Sequence, residues 1–221
     1  MKKNKRIGIY AILLSLLSLL VASGPAWALS WTQVTNWLNR ESDDKGQGGE
    51  GGSRPTANLC LLSPGNNQRI WSLSPTLVWQ GMPIVGIRPA EERGEPWQVT
   101  ATETVSGAYR EPYTGPVLER GKQYEWLFFT TPDEPSVWFP FQVVDQLTHW
   151  RISRDLNALQ TQLETEGATP DAIALARANY FMENDLPADA IHEMFAVSEP
   201  SDELVQARET LVQAVCSENG G

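Results

Sequence analysis

Histidine is almost missing from this chain: His149 and His192 are the only two in 221 residues. That scarcity closes most routes to metal and proton-transfer chemistry. Glu193 follows His192, but no second histidine stands four residues away, so the two-histidine zinc helix is absent. Neither histidine has cysteine or histidine neighbours at metal-ligand spacing. A serine nucleophile would need a Gly-x-Ser-x-Gly elbow, and a phosphate cradle would need a glycine-rich loop leading from strand to helix. The chain has neither, because its glycine cluster at Gly46, Gly48, Gly49, Gly51 and Gly52 runs into Arg54-Pro55 and opens no helix. Glu91, Glu92, Glu95, Glu103 and Glu111 are the remaining acid–base candidates, and nothing fixes the separation that a glycosidase-like pair requires. The expectation is therefore no catalytic residue, no metal ligand and no cofactor.

Cysteine is also scarce, with Cys60 and Cys216 near opposite ends of the chain. Their meaning depends on compartment. Lys2, Lys3, Lys5 and Arg6 precede a mostly apolar stretch from Ile7 to Val21, and Ala26-Trp27-Ala28 puts small residues where a signal peptidase reads. The apolar stretch is shorter than the roughly 20 residues of a membrane span, and no cysteine near it offers a lipid-anchor position. A signal peptide over residues 1–28, cleaved after Ala28, is predicted, with a secreted or periplasmic product. In such an oxidising compartment Cys60 and Cys216 are expected to pair, two separate buried thiols being the alternative.

Positive charge is in short supply as well. The formal charge is −10, and four of the basic residues lie in the predicted signal, leaving the exported chain near about −14. Such a chain repels phosphate backbones and anionic lipid, so nucleic acid is excluded as a partner and no stable membrane insertion is expected after cleavage.

What is present falls into parts of different character. Trp31, Val34, Trp37 and Leu38 stand at helical spacing in residues 29–40, and a glycine-rich linker follows to Thr56. From Ala57 short apolar runs alternate with Pro, Gly and Asn, the pattern of an all-β unit. Strands are predicted at Asn58–Leu62, Thr76–Gln80, Trp97–Val105, Gly115–Leu118, Gln123–Thr130 and Val137–Val144. That number in under 100 residues suggests an antiparallel sandwich of the immunoglobulin (Ig) or fibronectin type over residues 57–144, with Trp79 and Trp126 facing each other between the sheets.

After Val144 the period changes to about 3.6. Ile152, Leu156, Leu159 and Leu163 mark a helix ended by Gly167. Thr169-Pro170 starts a second, Asp185 and Pro187 a third, and Leu204, Ala207, Leu211 and Val215 line a fourth. The fold class expected is α+β in two parts: the sandwich, then a small all-α tail over residues 145–221 whose middle pair has tetratricopeptide-like spacing. A solenoid would need further copies, and none is found.

Tryptophan is the one enrichment, with nine in the chain. Trp79, Trp97 and Trp126 are assigned to the core. Trp71 and Trp138 are the candidates for an exposed binding platform.

The ordered features resemble a family of secreted cyanobacterial proteins whose domain has no assigned function. The resemblance is carried by GGSRPTANLC, SPGNNQRIWSLSPTLVWQG, GKQYEWLFF and the tail from ISRDLNALQ through ARANYF, LPADAI and ARETLVQAV, over roughly Gly51 to Cys216. It implies an envelope location and no known catalytic residues. The expected role is that of a non-catalytic binding protein with a protein partner in the cell envelope, the alternative being a polysaccharide-binding module or a cryptic carbohydrate-active enzyme that uses exposed tryptophans.

Overall fold

The computed structural model describes residues 59–92 and 94–217. The predicted signal peptide, the segment 29–40 and the glycine-rich linker lie outside the described residues. Among the described residues nine strands precede four helices: β1 (Cys60–Ser63), β2 (Arg69–Ile70), β3 (Thr76–Gln80), β4 (Ile84–Pro89), β5 (Trp97–Thr100), β6 (Thr104–Val105), β7 (Ala108–Pro112), β8 (Gln123–Thr131) and β9 (Glu134–Val143), then α1 (Gln146–Thr165), α2 (Pro170–Glu183), α3 (Pro187–Ala196) and α4 (Asp202–Ser217). The α+β class is thus observed.

The strands form two sheets, ordered β1-β3-β7-β6 and β2-β9-β8-β4-β5, antiparallel throughout except where β2 runs parallel to β9. Trp79 on β3 meets Trp126 on β8 edge-on at 5.8 Å between ring centroids, so the two sheets close on each other through the expected tryptophan pair. Leu77, Val85, Ile87, Tyr124, Phe128 and Phe141 fill the same layer.

Strand β3 shows why the helices matter. Thr76, Leu77, Val78 and Trp79 are all buried, so both faces of the strand are covered. Leu77 and Trp79 belong to the core between the sheets, whereas Val78 joins Cys60, Leu62 and Ala108 in a second core with Ile191, Met194, Phe195, Leu211 and Val212 from α3 and α4. The molecule is therefore three layers deep, with helices on the outer side of the first sheet. A disulfide between Cys60 and Cys216 ties β1 to α4 across this second core, as expected.

The helices begin and end for local reasons. The Asp145 carboxylate accepts hydrogen bonds from the amides of Leu147 and Thr148, capping α1. Gly167, at φ 76°, takes the left-handed turn that ends it. Thr169 caps α2, and Pro170 opens its first turn. At α3 the expectation fails in one respect. Asp185 does not cap it; Asp185 sits at φ 54° and Leu186 holds the cap position without a side-chain bond. The link between α2 and α3 is so short that the Asp185 and Leu186 amides still close the end of α2 on Met182 and Phe181.

Two strand assignments change and three strands are added. The expected strand Trp97–Val105 is two strands in different sheets, because the amide of Ala101 turns to the carbonyl of Pro83 and Ala101 is buried. Gly115–Leu118 forms no strand. There the Tyr113 hydroxyl reaches over to donate to Pro116 O, and a Cβ at Gly115 would lie 2.6 Å from that hydroxyl, which explains the glycine. Strands β2, β4 and β7 were not foreseen: β2 has two residues, and the apolar pattern of β4 is broken in the sequence by Gly86, where a Cβ would lie 2.7 Å from the Trp97 carbonyl oxygen.

Candidate functional site

Of the two tryptophans proposed as a platform, one is otherwise engaged. Trp71 is half-buried, its ring stacked on His149 at 5.2 Å and tilted against Phe181 at 5.5 Å. Its indole N–H is shared between His149 O and Ser153 Oγ, both at 3.3 Å. Trp71 therefore joins the sandwich to α1 and α2 and is no exposed face. Trp138 is 42% exposed, on the side of β9 opposite the core residues Phe139 and Phe141. The fold does not bring the two rings together. Trp97, expected in the core, is half-buried and packs edge-on against Tyr113 at 4.7 Å.

The buried polar groups converge on α3, where they hold the layers together. Asp189 is fully buried, and its two oxygens accept hydrogen bonds from the amides of Trp71 (2.7 Å) and Ser72 (2.8 Å). Burial pushes its carboxyl up to about 7, against the pull of those two donors. His192 Nδ1 accepts from the amide of Thr76 at 3.0 Å, which fixes the ring as neutral, and burial holds its pKa below the usual imidazole value. Glu193 pairs with Arg177 at 2.6 Å. Arg208 donates to the carbonyls of Met194 and Val197, and Arg110 to that of Phe195, closing the helix's last turn.

Two pairs here look catalytic in outline, and the hydrogen bonds say otherwise. Thr76 Oγ1 lies 3.1 Å from His192 Nδ1, but the lone pair on that nitrogen already receives the Thr76 amide. Ser153 lies 3.3 Å from His149 Nδ1, but its hydroxyl donates to His149 O at 2.7 Å, the usual helical back-bond. Neither hydroxyl has a base positioned to take its proton. Among the described residues no three His, Cys, Asp or Glu side chains gather as a metal site.

The exposed side chains tell a different story. Among the described residues four large apolar side chains stand out into solvent: Val117, Trp138, Leu147 and Trp150. Two of them, Leu147 and Trp150, lie where β9 gives way to α1. The loop before β8 reaches the same corner, since its Gly121 amide bonds the carbonyls of Val143 and Val144 just ahead of α1 and the charge of Arg120 acts on His149. Leu147 is 80% exposed and Trp150 60%, and Arg154 lies over the Trp150 ring at 5.4 Å. Leu147, Trp150 and Arg154 follow i, i+3, i+7 spacing, so they form the outer stripe of a helix whose inner stripe is Ile152, Leu156 and Leu163.

The exposed basic residues among the described ones are carried by the strand β2, the loop before β8 and the helix α1, which meet at this corner. Arg69, Arg120, Lys122, Arg151 and Arg154 are exposed. The other four, Arg88, Arg110, Arg177 and Arg208, are half-buried or buried and bonded to Glu125, Phe195 O, Glu193 and the Met194 and Val197 carbonyls. The outer stripe on α1 was the signal in the sequence for this corner, since it is what remains once the apolar face is assigned. A second surface feature, a shallow groove of about 570 Å³ beside Cys216, is lined by Gln80, Gly107, Glu209 and Val212 and lacks both aromatic and basic groups.

No protein-family model matches the chain, and no curated protein matches it.

Proposed function

We propose that the protein is an exported, non-catalytic interaction protein of the cell envelope, in which an Ig-like sandwich and a helical cap present the corner at Leu147 and Trp150 to a protein partner. The observation that carries this reading is that Leu147 and Trp150, two of the four exposed large apolar side chains among the described residues, stand where the strand, loop and helix carrying all five exposed basic ones meet. Tryptophan and arginine are the residues most enriched at the energetic centres of interfaces.

The Ig-like assignment is supported by strand order. The sheet β1-β3-β7-β6 and, apart from the two-residue β2 parallel to β9 at its edge, the sheet β9-β8-β4-β5 follow the A-B-E-D and G-F-C-C′ orders of that fold. Tyr124, near the start of β8, accepts the amide of Glu119 on its hydroxyl at 2.8 Å, in the manner of a tyrosine corner. Trp126 follows two residues on, where antibody domains carry the second cysteine of the inter-sheet disulfide; its contact with Trp79 replaces that bridge. The α2–α3 pair is read as one tetratricopeptide-like hairpin serving as a cap. Membership of the secreted cyanobacterial family is part of the same proposal, and export is supported by the signal-like N-terminus and fits the disulfide.

Affinity capture from an envelope fraction tests the reading. A partner retained by the native protein and lost by the Leu147→Ser, Trp150→Ser double variant is the expected result; no partner above control counts against it. Export is checked by N-terminal sequencing of the mature protein, with Leu29 expected and Met1 the contrary outcome. The polysaccharide alternative rests on Trp138 alone, and a glycan array without hits removes it.

A further inference from the structure

The corner's charge is not evenly spread, and the distribution says what fits it. On the α1 side each cation has an acidic or polar neighbour. Arg154 is paired with Asp155, which also accepts from Tyr180, and Arg151 rests on Asn184 between Glu183 and Asp185. The Asp145 carboxylate is occupied by the Leu147 and Thr148 amides and the Thr148 hydroxyl. On the other side Arg69, Arg120 and Lys122 form no ion pair with another described residue. They are neighbours by backbone: Arg69 lies in register with Gln142, whose side chain donates to Gly121 O, and Val143 N bonds Lys122 O. Glu119 is the carboxylate beside them in the chain.

We propose that this corner takes an acidic, partly apolar segment of a protein partner, with its carboxylates over Arg69, Arg120 and Lys122 and an apolar side chain between Leu147 and Trp150. The proposal rests on the interaction-protein reading and names the chemistry of the partner. Charge complementarity carries it. The chain as a whole has 27 acidic against 17 basic residues, so an acidic segment is repelled over most of the surface and drawn to this one place, which fixes its orientation. A flat anionic bilayer, which spans a wide area of the protein, meets the acidic surplus of the whole chain, whereas a narrow segment needs only this corner.

Site-specific photo-crosslinking in the protein's own cells tests it: Leu147→p-benzoylphenylalanine is the probe, with the same replacement at exposed Ala158 as control, followed by mass spectrometry of the captured peptide. The expected product is a peptide of net negative charge containing apolar residues, absent from the control and reduced by about tenfold when Arg120→Glu and Lys122→Glu are added. These positions are exposed, and unchanged far-UV circular dichroism verifies that the variants fold. A captured peptide that is neutral or basic, or a yield indifferent to the charge reversals, overturns the acidic-segment proposal while leaving the interaction reading intact. Lipid adducts alone, or no adduct at Leu147, overturn both.

Discussion

At the scale of single residues, two buried titratable groups on α3 pull stability in opposite directions with pH. His192 is held neutral by burial while accepting the Thr76 amide, so its pKa is lower folded than unfolded. Its contribution is present above the unfolded value near 6.5 and is withdrawn as pH falls below it. Asp189 has the reverse sign: with its carboxyl raised from 3.8 to about 7, its contribution is greatest below 3.8 and is withdrawn as pH rises towards 7. Between those limits the two effects oppose each other. His192→Asn supplies an oxygen in place of Nδ1 and removes the imidazole titration, so its stability relative to the native protein is expected to improve on going from pH 7.5 to 5.5. Asp189→Asn is expected to do the opposite, and urea unfolding at the two pH values reads both. Asp189→Ala is a different experiment, because it leaves the Trp71 and Ser72 amides without acceptors. Each amide left without an acceptor costs about 1–3 kcal/mol, so a loss of about 2–6 kcal/mol is expected at pH 7.5, reduced by relief of the buried carboxylate.

At the scale of elements, α3 is the piece on which the layers depend. Only ten residues long, it is buried along nearly its whole length, between the first sheet and the other helices. Its amphipathic spacing could be read from Ala190, Ile191 and Met194, as could the strands β3 and β8 and the inner stripe of α1. Its polar partners could not, because Thr76, Trp71 and Ser72 lie more than 110 residues away and no local pattern announces them. The same holds for Trp71: a tryptophan between strands looks exposed until the helices close over it. The end of α3 offers a direct measurement. Arg208 is almost fully buried yet donates three hydrogen bonds to the Met194 and Val197 carbonyls and lies over the Phe195 ring. Arg208→Met keeps bulk but orphans those carbonyls, and a loss of about 2–4 kcal/mol is expected in denaturant unfolding. Arg208→Lys retains the charge without the planar fork and is expected to recover only part of that loss.

At the scale of the molecule, the question is whether sandwich and helices unfold as one body. The alternation of period in the sequence separates them at residue 145, and from composition alone they look like independent units. The packing joins them: residues of β1, β3 and β7 share a core with α1, α2, α3 and α4, and the Cys60–Cys216 disulfide closes a loop of 156 residues across it. Constraining so long a loop in the unfolded chain is worth about 5 kcal/mol in the chain-entropy picture. The Cys60→Ala, Cys216→Ala double variant is therefore expected to lose stability of that order. Because the second core also holds many apolar side chains from β1, β3, β7 and all four helices besides the bridge, the loss is expected to shift a single transition to lower urea and not split it. With Trp71 and Trp150 replaced by phenylalanine in both proteins, tryptophan fluorescence among the described residues reports the strand residues Trp79, Trp97, Trp126 and Trp138, and ellipticity at 222 nm follows the helices, so coincident curves before and after removal of the bridge are the expected result. If the helical signal melts first in the variant, the disulfide rather than the shared core is what holds the cap in place. The corner at Leu147 and Trp150 would then be set by a covalent tie, since α1 is fixed to the sandwich at Trp71 and to the rest of the cap through α2.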